Sequence, residues 1–167
     1  LLLSGLVVGC SSDNGETTVK DKVKIGFVTD LTGPLSGMTK DLVNPMEDAV
    51  KYANEEAPVQ EGLIFEVVYG DQKSDDSLNV QIYNLLKERG CPVIVSATAP
   101  FADTVKPFVE RDQVFVLSMA VSEEQINPPQ WIFAVTSPVY GQVQTMLKWI
   151  SEEDWDYVAE GRKPKLG

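Results

Sequence analysis

The sequence predicts an α/β fold in which a doubly wound parallel sheet carries helices on both faces. Short apolar runs rich in β-branched residues recur along the chain, as is typical of strands covered on both faces. The segments between these runs place apolar residues at helical spacing. Strands and helices therefore alternate, and right-handed crossovers at this spacing give a parallel sheet. We expect five strands in the order 2-1-3-4-5.

The five predicted strands follow these apolar runs. The first spans residues 23–28, with the sequence VKIGFV, and the second spans residues 63–69, with the sequence LIFEVVY. Residues 92–95 form the third strand, residues 114–117 the fourth and residues 131–135 the fifth.

Four helices are predicted between and after the strands. The first begins with Asn44 as N-cap, Pro45 at the first helical position and Glu47 as the capping-box partner. The second has Ser77 as its cap and ends at Arg89-Gly90, where the glycine is suited to a left-handed helix end. The positions expected to face the core are Met46, Ala49, Val50 and Ala53 in the first helix, Leu78, Ile82, Leu85 and Leu86 in the second, Phe101, Val105, Phe108 and Val109 in the third, and Val139, Val143, Leu147 and Ile150 in the fourth.

Composition excludes several functional classes. The 167 residues carry a formal net charge of −11 and no basic stripe, which argues against a nucleic-acid partner. The chain has no histidine, so it holds neither a Ser-His-Asp triad nor a histidine metal site. Its two cysteines, Cys10 and Cys91, match no metal-ligand spacing. We expect no catalytic group, no cofactor and no metal.

The first residues predict an anchored protein. Residues 1–10 are apolar and uncharged but shorter than the roughly 20 residues that a membrane span needs, so they fit the remnant of a signal peptide. The segment Val7-Val8-Gly9-Cys10 resembles the bacterial lipobox, in which the cysteine is diacylated and becomes the mature N-terminus. Residues 11–22 begin with a polar run and are expected to form a flexible tether. The alternatives are a buried first strand, or a disulfide between Cys10 and Cys91.

Three loops are candidates for ligand binding. In open α/β sheets, ligands bind at the carboxyl ends of strands where the strand order reverses, which here lies between the first and third strands. The loops at residues 29–38, 96–100 and 118–122 are rich in small and hydroxyl residues and hold one ionisable group, Asp30. Such loops suit binding without chemistry, since no nucleophile lies beside a base. The alternative is that these residues are helix caps and turns.

Part of the sequence resembles a known family. Residues 24–37, with the segment Thr32-Gly33-Pro34-Leu35-Ser36-Gly37 after the first strand, resemble the opening of type I periplasmic solute-binding proteins. The most similar subgroup is the leucine/isoleucine/valine-binding proteins of ABC transporters. Residues 69–76 are similar to that family's acidic segment after the second strand. The aspartates of that segment are expected to stabilise turns and helix caps, because their spacing is not that of a calcium-binding loop.

The resemblance implies a two-lobed extracytoplasmic receptor, here lipid-anchored to the membrane at Cys10. It would capture a small polar solute, an amino acid or a related carboxylate or amide, and deliver it to an ABC permease. Residues 23–137 would form the first lobe. Residues 138–167 would form the hinge crossing and the first helix of a truncated second lobe, with that helix at about residues 138–160. A sensory module with the same fold is the alternative function, and a flavodoxin-like lipoprotein enzyme is a third.

The resemblance also implies which residues contact the solute. Ala99 stands where a serine is usual, Met38 replaces an aromatic residue, and Ser122 keeps the hydroxyl of a usual threonine. An α-amino acid, an amide, a short carboxylate and an aromatic acid all remain open as ligands. The predicted ligand-binding residues are Thr32, Gly33, Ser36, Met38, Thr98, Ala99, Val121, Ser122 and Tyr140.

Overall fold

A computed structural model describes residues 21–154 and 157–162 and contains a five-stranded sheet whose paired strands all run parallel. The strand order is β2-β1-β3-β4-β5, so the predicted fold class and strand order are confirmed. Residues 1–20, including the predicted lipobox at Cys10, lie outside the described residues. The strands are β1 (Asp21–Thr29), β2 (Leu63–Asp71), β3 (Val93–Ser96), β4 (Phe115–Ser118) and β5 (Ile132–Ala134).

Helices connect the strands and follow the last one. Two short 3-10 turns, Lys40–Leu42 and Asp76–Leu78, lead into α2 and α3, and a π-helical turn, Ile150–Asp154, follows α6. Within the described ranges, no helix combines the length and the apolar composition that crossing a membrane requires. The helices are α1 (Ser36–Thr39), α2 (Val43–Glu55), α3 (Asn79–Glu88), α4 (Ala99–Asp112), α5 (Glu123–Ile126), α6 (Val139–Trp149) and α7 (Tyr157–Glu160).

The main hydrophobic core lies between one face of the sheet and helices α3 and α4. Alternate residues of the strands point to this face, as the two-residue period of a strand requires. Cys91 is buried in the same core, and burial raises the pKa of its thiol. The principal core residues are Val28, Ile94, Val116 and Ile132 from the sheet and Tyr83, Leu86, Phe101, Val105 and Val109 from the two helices.

The opposite face of the sheet is covered unevenly. Helix α2 packs against β2, and Phe27 is buried on this side with its ring edge-on to Tyr69. Further along, Phe115 and Phe133 remain 36% and 38% exposed, and their rings stack with centroids 4.3 Å apart. These two phenylalanines alternate with the core residues of β4 and β5, so they belong to this second face. The sheet therefore has one closed face and one partly open face.

The predicted start of the first helix is wrong. Helix α2 begins at Val43, with Leu42 as N-cap and no side-chain cap, because a 3-10 turn runs directly into it. Pro45 lies within the first turn, where a missing N–H is tolerated. Glu47 accepts a hydrogen bond from the Tyr69 hydroxyl at 3.0 Å. Burial, together with this bond and the nearby negative charge, raises the pKa of Tyr69 to about 12.

The later helices form where predicted, with local differences. The predicted cap at Ser77 is wrong, because Asp75 caps the 3-10 turn that leads into α3, its carboxylate accepting the Ser77 N–H at 2.9 Å, and α3 itself has Leu78 as N-cap. Leu85 is 41% exposed, whereas Tyr83 is fully buried. Gly90 has φ +78°, which confirms the predicted left-handed end.

Two predicted apolar faces are less buried than expected. Ala49 of α2 is exposed, and no residue of α2 is fully buried. Helix α6 forms over the predicted apolar repeat, but Val139 and Val143 are exposed. Helix α6 was expected to continue to about residue 160, but its α-helical part ends at Trp149.

Candidate functional site

The loops that follow β1, β3 and β4 leave the sheet side by side. The parallel ladder continues past the strand ends, where Ala97 N–H donates to Val28 O at 3.0 Å and Met119 N–H donates to Ser96 O at 2.9 Å. Because all these strands point the same way, the three loops gather at one edge of the sheet. This is the edge at which the sequence predicts a ligand.

An open cavity of about 460 Å³ lies beyond the ends of β3 and β4. Its lining includes Ala99 at the start of α4, Val121 and Ser122 after β4, and Tyr140 at the start of α6. The structure thus brings together four of the nine predicted site residues, from three separate segments of the chain. Val121 is buried, whereas Tyr140 is largely exposed.

A reciprocal hydrogen-bonded cap shapes one wall of this cavity. The Ser122 hydroxyl accepts the backbone N–H of Gln125, and the Ser122 N–H donates to Gln125 Oε1 at 3.0 Å. This arrangement is a capping box, and it begins α5. Gln125 Nε2 also donates to Ala99 O at 3.3 Å, which ties α5 to the start of α4. The Ser122 hydroxyl therefore has a structural task beside its predicted role as a ligand contact.

Three carboxylates that are not among the predicted site residues also line the cavity. They belong to Asp103, one turn into α4, and to Glu123 and Glu124 in the first turn of α5. Glu124's own backbone N–H and then the Ser122 hydroxyl lower the pKa of the Glu124 carboxyl. Lys106 lies near this wall, where its ammonium donates to Glu124 O. The wall favours a positively charged group on a ligand.

The remaining predicted residues lie in the loop after β1 and at the start of α4. Met38 is 76% exposed, and Ser36 begins the short helix α1. Neither they nor Thr32, Gly33 and Thr98 line the 460 Å³ cavity. Their roles as ligand contacts stay predictions.

A buried carboxylate organises the loop after β1. Asp30 is 1% exposed, and its two oxygens accept the N–H groups of Gly33 at 2.5 Å and Leu35 at 2.9 Å. The Ser74 hydroxyl donates to the same carboxylate from the loop after β2. Asp30, the one ionisable group of the three candidate loops, therefore holds the backbone of the loop after β1 in place. In the part of the chain that the structure describes, no cluster of three or more acidic or cysteine side chains is arranged for a metal ion.

Comparison with known proteins agrees with this architecture. A family model described as "Periplasmic binding protein" matches residues 22–157. A branched-chain amino acid ABC transporter protein from Thermus thermophilus, solved with bound valine, is 23% identical with a TM-score of 0.70. The alignment covers 80% of this chain and 36% of that one. The substrate-binding protein of a branched-chain amino acid transporter from Streptococcus pneumoniae, in complex with isoleucine, is 20% identical with a TM-score of 0.68 and coverages of 80% and 39%.

A third solved structure has a different ligand. The solute-binding protein of an ABC transporter from R. palustris, in complex with 4-hydroxybenzoate, is 15% identical with a TM-score of 0.66 and coverages of 80% and 36%. No curated protein sequence is similar enough to match. The chain spans less than two fifths of the length of these solved structures.

The predicted resemblance is thus confirmed by two kinds of comparison. The family model covers most of the chain, and the solved structures share its fold. The chain belongs to the periplasmic binding protein family.

Proposed function

We propose that this chain is the first lobe of an extracytoplasmic solute-binding lipoprotein that captures a small polar solute and delivers it to an ABC permease. The observation that carries the proposal is the cavity at the ends of β3 and β4, where Ala99, Val121, Ser122 and Tyr140 meet. A solute held there would be closed over by a second lobe reached through α6. Residues 23–137 would be the ligand-binding lobe, and residues 138–167 would belong to the crossing.

The charges around the cavity support an α-amino acid as the solute. The carboxylates of Asp103, Glu123 and Glu124 favour an ammonium group. Helix α4 begins beside them at Ala99, and its N-cap residue, Thr98, makes no side-chain cap bond. The N-terminus of a helix favours a carboxylate. An α-amino acid offers both groups, whereas an aromatic acid offers the carboxylate alone.

The anchor is proposed from the sequence of the first residues. The segment Val7-Val8-Gly9-Cys10 followed by a polar run supports diacylation of Cys10. Cys10→Ala should release the protein from the membrane fraction and abolish incorporation of radiolabelled palmitate in growing cells. Unchanged labelling of that variant would contradict the anchor.

Ligand titration tests the function. We expect L-valine, L-isoleucine or L-leucine to stabilise the full-length protein, by about 2.7 kcal/mol at 100 times the dissociation constant. Thermal-shift assays and titration calorimetry measure this effect, with 4-hydroxybenzoate as an aromatic-acid comparison. A lack of any shift or heat with all four solutes would contradict the proposal.

A matched pair of tyrosine variants tests the location of the site. Tyr140 lies at the cavity, and Tyr52 lies on α2 outside it, yet both are well exposed. Tyr140→Ala should weaken binding about tenfold through loss of aromatic contact area, while Tyr52→Ala should leave the affinity unchanged. Equal affinities for the two variants would place the solute elsewhere.

A further inference from the structure

Two adjacent side chains at the end of β2, Asp71 and Gln72, hold two segments that the sequence predicts to contact the ligand. The Asp71 carboxylate bonds to the loop after β1, and the Gln72 amide bonds to the start of α4. Neither residue lines the 460 Å³ cavity. We propose that Asp71 and Gln72 are positioning residues. They hold the loop after β1 and the start of α4 at the distance from each other that ligand binding requires. The inference rests on the proposed function of the cavity.

Asp71 secures the loop after β1 with both carboxylate oxygens. Its Oδ1 accepts the N–H groups of Leu31 at 2.9 Å and Thr32 at 3.3 Å, and its Oδ2 accepts the Thr32 hydroxyl at 2.5 Å. Thr29 lies beside Asp71 in the sheet register, so β1 delivers this loop directly to the carboxylate. Hydrogen bonds to an ionised acceptor are about twice as strong as neutral ones. The loop is therefore tied to β2 across about forty positions of sequence.

The loop after β2 has the backbone shape that this contact requires. Lys73 and Ser74 are consecutive residues with φ +55°, in the left-handed region. The Lys73 N–H donates to Asp71 Oδ1 at 3.1 Å, which folds the loop back onto the carboxylate. Gly33 fits against the Lys73 backbone without room for a side chain. The two loops thus interlock around Asp71.

Gln72 secures the other segment through a buried amide that has one satisfied orientation. Gln72 is 2% exposed, and its Oε1 accepts the Thr98 hydroxyl at 2.7 Å. Its Nε2 donates to Asn79 Oδ1 at 2.7 Å, and Asn79 Nδ2 in turn donates to Pro100 O at 3.3 Å. The same Nε2 also donates to Asp76 Oδ1 at 3.2 Å. A reversed amide would place its oxygen against the oxygens of Asn79 and Asp76, so the orientation is fixed. Both Thr98 and Pro100 flank Ala99, which lines the cavity.

The arrangement separates the residues that touch a ligand from those that set the geometry. The loop after β1 and the start of α4 lie on either side of the point where the strand order reverses. A solute that contacts both segments depends on their spacing, and preorganised contacts bind more tightly than contacts that must be ordered on binding. Asp71 and Gln72 fix that spacing from outside the cavity.

The experiment compares Asp71→Ala with Asp75→Ala in the full-length protein. Asp75 lies in the same loop, but its carboxylate bonds to Ser77, two residues on, and so it is a matched control. Asp71→Ala should lower the affinity for L-valine by about tenfold or more, and Asp75→Ala by less than about twofold. Asp71→Asn should recover most of the affinity, since an amide oxygen can still accept the N–H groups of Leu31 and Thr32. Gln72→Met should lower the affinity in the same way as Asp71→Ala.

Amide hydrogen exchange of the ligand-free protein provides a readout that does not need a ligand. In Asp71→Ala, exchange of the Leu31 and Thr32 amides should rise by about tenfold while Ile94, in the core strand, is unchanged. Unchanged exchange at Leu31 and Thr32 would overturn the positioning role, as would raised exchange with wild-type affinity for L-valine. If the wild-type protein binds no solute, the proposed function fails, and the exchange result alone decides whether Asp71 holds the loop. Should Gln72→Met fail to fold, the Asp71 variants still decide the outcome.

Discussion

Substitution of Gly33 by alanine tests how tightly the loops after β1 and β2 are packed. A Cβ atom at Gly33 would lie 2.3 Å from the Lys73 carbonyl carbon, 2.5 Å from the Lys73 carbonyl oxygen and 2.5 Å from Asp30 Oδ1. Two of these three atoms are backbone, so no side-chain rotation relieves the overlap. The loops must move apart, and that movement stretches the hydrogen bonds from Leu31 and Thr32 to the Asp71 carboxylate.

The size of the effect follows from these contacts. Overpacking of a well-packed site destabilises by about 1–3 kcal/mol. Loss of a hydrogen bond to a charged group costs about 1.5–3 kcal/mol. Because one displacement causes both, the two figures overlap, and we expect Gly33→Ala to lower the free energy of unfolding by about 2–4 kcal/mol. For a domain of this size, that corresponds to a fall in Tm of roughly 4–16 °C.

Gly37 in the same segment supplies the control. It lies within α1, and a Cβ atom there would meet no atom within 4 Å. Gly37→Ala should be neutral or should stabilise by up to about 1 kcal/mol, because alanine favours a helix over glycine. Urea unfolding followed by circular dichroism measures both variants, provided that the m-value stays constant. A Gly33→Ala variant within about 0.5 kcal/mol of the wild-type protein would refute the packing argument.

Two further predictions concern the core and the acid response. Leu86→Ala should lower the free energy of unfolding by about 2–5 kcal/mol because Leu86 is fully buried, whereas Leu85→Ala should lower it by less than about 1 kcal/mol. Equal urea midpoints for these two variants would contradict the packing of α3. Hydrogen bonds from Arg111 and then Lys87 hold the pKa of Asp112 well below its usual range. The ionised Asp112 carboxylate therefore stabilises the folded state above about pH 4, and this contribution is lost as the pH falls further. Asp112→Asn should therefore flatten the acid side of the stability curve measured by urea unfolding from pH 7 to pH 2, and parallel curves for the two proteins would refute this.

The sheet could be predicted from the sequence because its signals are local. Each strand is a short apolar run, and the alternation with helices restricts the order of a parallel sheet to few solutions. Short elements carry no such signal, since α1 and α5 span four residues each, barely one helical turn. The cap at Asn44 was predicted wrongly because a preceding 3-10 turn supplies what a side-chain cap would otherwise provide.

The site was less predictable because its hydrogen-bond partners are distant in sequence. Thr32 and Thr98 are predicted to contact a ligand through their hydroxyls, and in the structure each hydroxyl donates to a side chain at the end of β2. A sequence shows that a hydroxyl follows a strand, but it does not show which neighbour the fold brings within reach. The carboxylates of Asp103, Glu123 and Glu124 could not be predicted as site residues, because they lie inside helices and outside the three loops expected to bind the ligand.

The reciprocal cap at Ser122 has a consequence for how such a protein can change over time. Ser122 and Gln125 depend on each other, and Gln125 also donates to the Ala99 carbonyl, so substitution of either Ser122 or Gln125 removes bonds that shape this wall. Tyr140 and Asp103 face the same cavity from exposed positions, where substitutions usually change stability by no more than about 0.5 kcal/mol. Mutation at such exposed positions can therefore change which ligand the cavity binds while the capping box around it is kept. New ligand preferences can arise in this way without a new fold.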